Sequence, residues 1–152
     1  MLVPSRLQAS LAICFMIPRK MVTILAGLSG ISAVALGAMG AHSLRENIAQ
    51  HAGQSIWQTA VEYHLAHAVA LLTLAGWSAG NADRRSRYAA WISMLWMIGI
   101  LFFSGSLYAL ALGAPPVVGP LTPIGGVFLL AGWVVVLVSG WQGRTQSPST
   151  NN

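Results

Sequence analysis

Residues 123–141 read Pro-Ile-Gly-Gly-Val-Phe-Leu-Leu-Ala-Gly-Trp-Val-Val-Val-Leu-Val-Ser-Gly-Trp, without one charged side chain. The run is about the length an α-helix needs to cross a hydrocarbon core roughly 30 Å thick, at about 1.5 Å per residue. Alternating stretches of about ten residues, the mark of membrane β-strands, are absent from the chain. A backbone surrounded by lipid must satisfy its own hydrogen bonds, so the run is expected to be a helix. Three further apolar stretches precede it, at about 22–41, 59–79 and 88–112. The four together predict an all-α fold: an integral membrane four-helix bundle with short loops, occupying residues 21–142.

Composition points the same way. Hydrophobic residues make up 55% of the 152-residue chain and charged residues 7%. Soluble domains carry charges at about 25% of positions, so a surface this poor in charge calls for lipid around it. The net charge of +5 is not read as a nucleic-acid footprint, because no basic patch is interleaved with aromatics. A single cysteine, Cys14, allows no intramolecular disulfide and no thiolate cage.

Arginine and lysine set the expected orientation. Arg6, Arg19, Lys20, Arg84, Arg85, Arg87 and Arg144 fall on one side of four spans, and only Arg45 falls on the other. The positive-inside rule then puts both termini and the 80–87 loop in the cytoplasm. Residues 1–20 have a short apolar run after Arg6 but no small-residue cleavage site. They are read as an extension, or as a translation start set too early. The tail, 143–152, is Ser, Thr, Asn and Gln, and is expected to be disordered. Trp57, Trp91 and Trp141 lie near expected helix ends, where either an interfacial belt or ordinary packing accounts for them.

Polar side chains gather in the expected outer halves of the spans. The second stretch carries Glu62, His64 and His67; the third ends in Ser104, Ser106 and Tyr108; His42 follows the first. At 100° per residue His64 and His67 lie about 60° apart, while Glu62 is well round the helix, so one helix cannot bring all three to an ion. A proton relay or metal site would need help from elsewhere, such as His42. The competing reading is interhelical hydrogen bonding, and it is the favoured one. Ser104 and Ser106 have no acid–base partner on their helix and do not form a nucleophile elbow, so no catalytic residue is assigned. Gly30, Ala33, Gly37 and Ala41 form a stripe of small residues; with Gly105, Gly125 and Gly126 they suggest close helix packing.

These segments also carry a resemblance. Gly37-Ala38-Met39-Gly40-Ala41-His42, Thr59-Ala60-Val61-Glu62-Tyr63-His64 with His67-Ala68, Phe103-Ser104-Gly105-Ser106-Leu107-Tyr108 and Thr122-Pro123-Ile124-Gly125-Gly126 occur in order. Over about Met21–Trp141 the chain resembles the small bacterial inner-membrane proteins catalogued as domain of unknown function four hundred and twenty-three. That family usually has an aromatic where Met39 stands, Gly where Ser43 stands, and often Gln where His64 stands. The resemblance implies a compact multi-span protein of the bacterial inner membrane and supplies no catalytic residue, substrate or cofactor.

The expected function is therefore that of a structural or accessory membrane component, without enzymatic activity, cofactor or bound metal. The alternative is binding or transport of a proton, metal ion or small solute through the polar cluster. The expected partners are the lipid bilayer and either further copies of the chain or a larger membrane complex, and not nucleic acid.

Overall fold

The computed structural model describes residues 19–51, 53–78 and 83–142. The expected tail, and the expected extension apart from Arg19 and Lys20, lie outside the described residues. Among the described residues every regular element is helical: α1 (Arg19–Ala41), α2 (Arg45–Gln50), α3 (Gln54–Trp77), α4 (Asp83–Ala111), a 3-10 turn (Pro116–Val118) and α5 (Leu121–Gln142).

Three segments, Lys20–Ala41, Arg85–Ala111 and Pro116–Trp141, are long and apolar enough to cross a membrane. Helix α3 is long enough at 24 residues, but Gln54, Gln58, Glu62, His64 and His67 lower its hydropathy. Several helices extend past the apolar stretches. Helix α4 begins five residues before position 88, and its 29 residues make about 44 Å of helix against a core of about 30 Å. The surplus carries the exposed Arg85 and Arg87. Helix α3 likewise starts five residues before position 59, and α2 lies inside the 42–58 segment that hydropathy alone assigns to a loop.

Among the described residues the chain folds back on itself, so the turns fall at two ends. At one end sit α2, the α2–α3 connection and the α4–α5 turn; this is the capped end. Its α4 terminus is a Schellman motif: Ala114 N donates to Ala109 O at 3.0 Å, and Gly113 N to Leu110 O at 3.0 Å. Gly113 takes φ +88° there, a conformation that suits glycine. The His51 ring lies against Gly113, and the Gly53 backbone lies against Ala111. The other end, carrying Arg85 and Arg87, is the basic end.

The helices pack in chain order: α1 on α3, α3 on α4, and α4 on α5. Helices α3 and α5 make no broad contact, so α4 forms the floor between them. Two apolar cores result. Ile48, Trp57, Ala60, Tyr108 and Ala111 fill the capped end. Val22, Ala26, Leu71, Leu74, Ile92, Trp96 and Leu129 are among those filling the rest. The outward faces are aliphatic: Ile31 is 71% exposed and Leu137 69%. Contiguous apolar surface of this kind suits a lipid environment.

Candidate functional site

Helix α3 holds the two buried histidines, and α4 lies between the helices they reach. A separation of about 60° on α3 is enough to send them different ways. His64 points toward α1 and α4. Its Nε2 is 3.3 Å from Ser32 Oγ, and its Nδ1 is 3.4 Å from Tyr108 Oη. Ser32 spends its hydroxyl hydrogen on Leu28 O at 2.9 Å or Ser29 O at 3.0 Å. Ser32 therefore accepts from His64 Nε2–H, which leaves Nδ1 to accept from the Tyr108 hydroxyl. A directed chain of hydrogen bonds runs from α4 through α3 to a carbonyl of α1. Its two imidazole links are long for hydrogen bonds and correspondingly weak.

His67 points toward α5. Its Nδ1 meets Tyr63 O at 2.8 Å, and its Nε2 accepts from Trp133 Nε1 at 3.2 Å. An indole nitrogen can only donate and a carbonyl can only accept, so the ring is neutral with its hydrogen on Nδ1. A hydrogen on Nε2 would face the Trp133 N–H, donor against donor. Trp96 and Trp133 both meet the imidazole edge-on, at centroid distances of 5.8 and 6.2 Å. Tyr63 stacks on it at 6.3 Å and touches Phe103 at 4.7 Å.

The remaining polar side chains do not join either histidine. Glu62 is exposed and accepts from Gln58 Nε2 at 3.1 Å. His42 is exposed in the turn after α1. Ser106 Oγ bonds Phe103 O at 2.9 Å and Thr122 Oγ1 at 2.7 Å, tying α4 to the start of α5. Ser104 is 1% exposed and its Oγ has no hydrogen-bond partner, as is also true of Ser29 Oγ and Trp96 Nε1. Nothing in the structure explains these three unmade bonds. Neither Ser104 nor Ser106 hydrogen-bonds an imidazole. Among the described residues no three of His, Cys, Asp or Glu converge on one point.

Small residues make the closest helix crossings, though not all those of the sequence stripe. A Cβ on Gly125 would fall on the backbone of Phe102 and Phe103, and one on Gly37 would come within 3.3 Å of Val61. Ala33 is fully buried, and Gly126 lies at ordinary contact distance from Phe103. Gly30 and Gly105 face open space, and Ala41 is exposed. Gly40 instead makes the crossing at the end of α1, against the Trp57 indole. Trp57 is 4% exposed, donates to Leu36 O at 3.2 Å and meets Tyr108 at 4.7 Å, so packing is its role. Gly99 and Gly132, which admit Leu129 and Trp96, have no place in the stripe. Ser32, Thr122 and Trp133 are the partners that sequence reasoning missed. Ser29 and Ser32 in an otherwise aliphatic helix were the available signal for the first.

Comparison with known proteins adds a family. Residues 36–126 match the model described as protein of unknown function (DUF423). The chain is 40% identical over 120 residues to a UPF0382 membrane protein of Staphylococcus aureus, covering 79% of this chain and 94% of that one. It is 40% identical over 126 residues to a UPF0382 membrane protein of Haemophilus influenzae, covering 83% and 97%. It is 41% identical over 120 residues to the UPF0382 inner membrane protein YgdD of Escherichia coli, covering 78% and 88%. No solved structure matches.

Proposed function

We propose, for a chain that belongs to the DUF423 family, a structural or accessory role in the bacterial inner membrane in which the polar residues fasten helices together. The observation that carries this reading is the engagement of both nitrogens of both buried histidines by groups of the protein itself. An imidazole must present a free lone pair to bind a metal, and to pass a proton it needs partners that can give and take one, which an indole N–H and a backbone carbonyl do not. His67 offers neither while Trp133 is in place. Glu62, the one acid within α3, faces away from both rings.

Helix α3 is the fourth span in this reading. It lies between α1 and α4, so its neighbours shield His64 and His67 from lipid, as polar residues in membrane helices require, while the exposed Gln54, Gln58 and Glu62 lie toward its capped end. Both termini and the basic end face the cytoplasm, because the arginines and lysines concentrate there. The name of the Escherichia coli relative, an inner membrane protein, supports the location.

The test is native purification of the tagged chain in mild detergent, with mass spectrometry of co-eluting protein, lipid and metal. A stoichiometric protein partner that persists with His67→Ala is the expected result. A metal or solute bound by the wild-type chain and lost with His67→Ala would replace this reading with the binding or transport one.

A further inference from the structure

Two buried hydroxyls with no partner fall close to one imidazole. Ser29 on α1 is 3% exposed and Ser104 on α4 is 1% exposed, and neither Oγ has a hydrogen-bond partner within the chain. Other helical hydroxyls turn back onto their own helix: Thr59 onto Ser55 O, Thr73 onto Ala70 O, Ser93 onto Ala90 O, Ser106 onto Phe103 O and Ser139 onto Val136 O. That bond is open to any serine within a helix. Ser29 and Ser104 forgo it, and both belong to the buried seams of their helices. Ser29 lies between Ala26 and Ala33, and Ser104 between Ile100 and Tyr108, all of them buried.

The two seams meet at His64. Ser29 stands about one turn, roughly 5 Å, from Ser32, and Ser104 about one turn from Tyr108. Ser32 and Tyr108 are the two partners of the imidazole. Their bonds to it, at 3.3 and 3.4 Å, are longer than the usual length of about 2.9 Å. Helices α1 and α4 pack sparsely on each other compared with the packing of each on α3. Ala33 and Ala68, buried beside this layer, bring only a methyl each. The layer thus holds more hydrogen-bonding capacity than its side chains satisfy among themselves.

We propose that internal water occupies this layer and bridges Ser29 and Ser104 to the His64 network. The inference rests on the fastening role proposed above and extends it from direct contacts to bridged ones. Chemistry selects the ligand. The unmade bonds belong to hydroxyls, which both donate and accept. A cation would need carboxylates or several free carbonyls, and within these helices the carbonyls are spent on the backbone. Glu62, the one acid of α3, is exposed and bonded to Gln58. An anion would need a charged donor, and no arginine or lysine is buried among the described residues. Water is neutral, fits between packed helices, and gives and takes hydrogen bonds. When buried it typically makes about three of them, to groups that the chain leaves unsatisfied.

The experiment is water-edited magic-angle-spinning NMR on the full-length, isotopically labelled chain in hydrated bilayers. It reads how fast polarisation passes from water to each assigned side chain. Ser93 is the control: it is fully buried on the same helix as Ser104, but its hydroxyl is bonded to Ala90 O at 3.0 Å. Ser29, Ser104 and the His64 ring are expected to build up several-fold faster than Ser93, approaching the exposed Ser43. The double variant Ser29→Ala, Ser104→Ala suits a helix at both positions and should slow the His64 ring to the rate of Ser93. Build-up at Ser29 and Ser104 no faster than at Ser93 would mean that both bond to their own helices, and would overturn the proposal. Equally fast build-up at Ser93 would mean a bundle open to solvent throughout, and would overturn it too, as would hydration of His64 that survives the double variant. Ring-nitrogen shifts in the same spectra report the direct bonds of His64 and His67, so failure of the fastening role itself would appear there, whatever the hydration.

Discussion

The capped and basic ends of this molecule are built from the same four long helices, yet they solve the packing problem differently. At the capped end, α2 and the two turns lie over the helix termini, glycines admit a neighbouring backbone or indole, and side chains bridge helices by hydrogen bonds. At the basic end, α3 and α5 stand apart, and indoles line the gap between them. The contrast shows how little apolar character alone decides in a membrane. Both ends are apolar, and lipid solvates a parted pair of helices as readily as a packed one. What closes the capped end is close backbone approach and directed polar contacts, the forces that hold helices together where no hydrophobic drive between them exists.

That comparison can be broken by substitution, and the largest effect should come from the tightest crossing. Gly125→Leu forces a side chain onto the α4 backbone and should cost about 3 kcal/mol. Reversible unfolding in mixed micelles would measure it, and a cost under about 0.5 kcal/mol would mean the crossing is looser than described. Next comes the boundary between the ends. His67→Ala strands the Trp133 N–H and should cost about 1–2 kcal/mol. The double variant with Trp133→Phe should cost less than the sum of the two singles, and strict additivity would remove the hydrogen bond from the account.

A change at the basic end should act in the opposite sense. A Cβ added at Gly76 would meet nothing within 4 Å, so Gly76→Ala should stabilise by up to about 0.5–1 kcal/mol through helix propensity. A loss of stability in the same assay would show that the basic end is closed after all. The smallest effect is expected from Tyr108→Phe. Its bond to His64 is 3.4 Å long, and interhelical bonds in membranes average about 0.6 kcal/mol. A cost well above 1 kcal/mol would make this link a principal fastener of the capped end.

Much of this was legible in the sequence, for identifiable reasons. Charge depletion and four apolar stretches located the long helices, because the bilayer imposes their length and their secondary structure. Helix ends beyond the apolar core were not legible: the early starts of α3 and α4, and the whole of α2, depend on turn geometry that hydropathy does not register. The polar cluster was legible as a set of residues but not as an arrangement. His64 and His67 share a face of α3 by spacing, and only the position of α4 between their two target helices separates them. The glycine stripe suffered similarly. Gly40 rather than Ala41 makes the crossing, a difference of one residue and about 100° that depends on the rotation of α1 about its axis. Trp133, in the most apolar stretch of the chain, carried no sign that its nitrogen would meet an imidazole.

The polar content of α3 has a consequence for biosynthesis. A segment holding Gln58, Glu62, His64 and His67 partitions poorly into lipid by itself, since ionisable and amide side chains oppose insertion at the bilayer core. Helix α1 emerges from the ribosome first and offers the Ser32 hydroxyl that His64 uses, itself held by the Leu28 carbonyl. The two should therefore leave the translocon as a hairpin. A chain in which α1 is replaced by a featureless polyleucine span is expected to strand α3 on the membrane surface, with α4 and α5 inserted in the wrong sense.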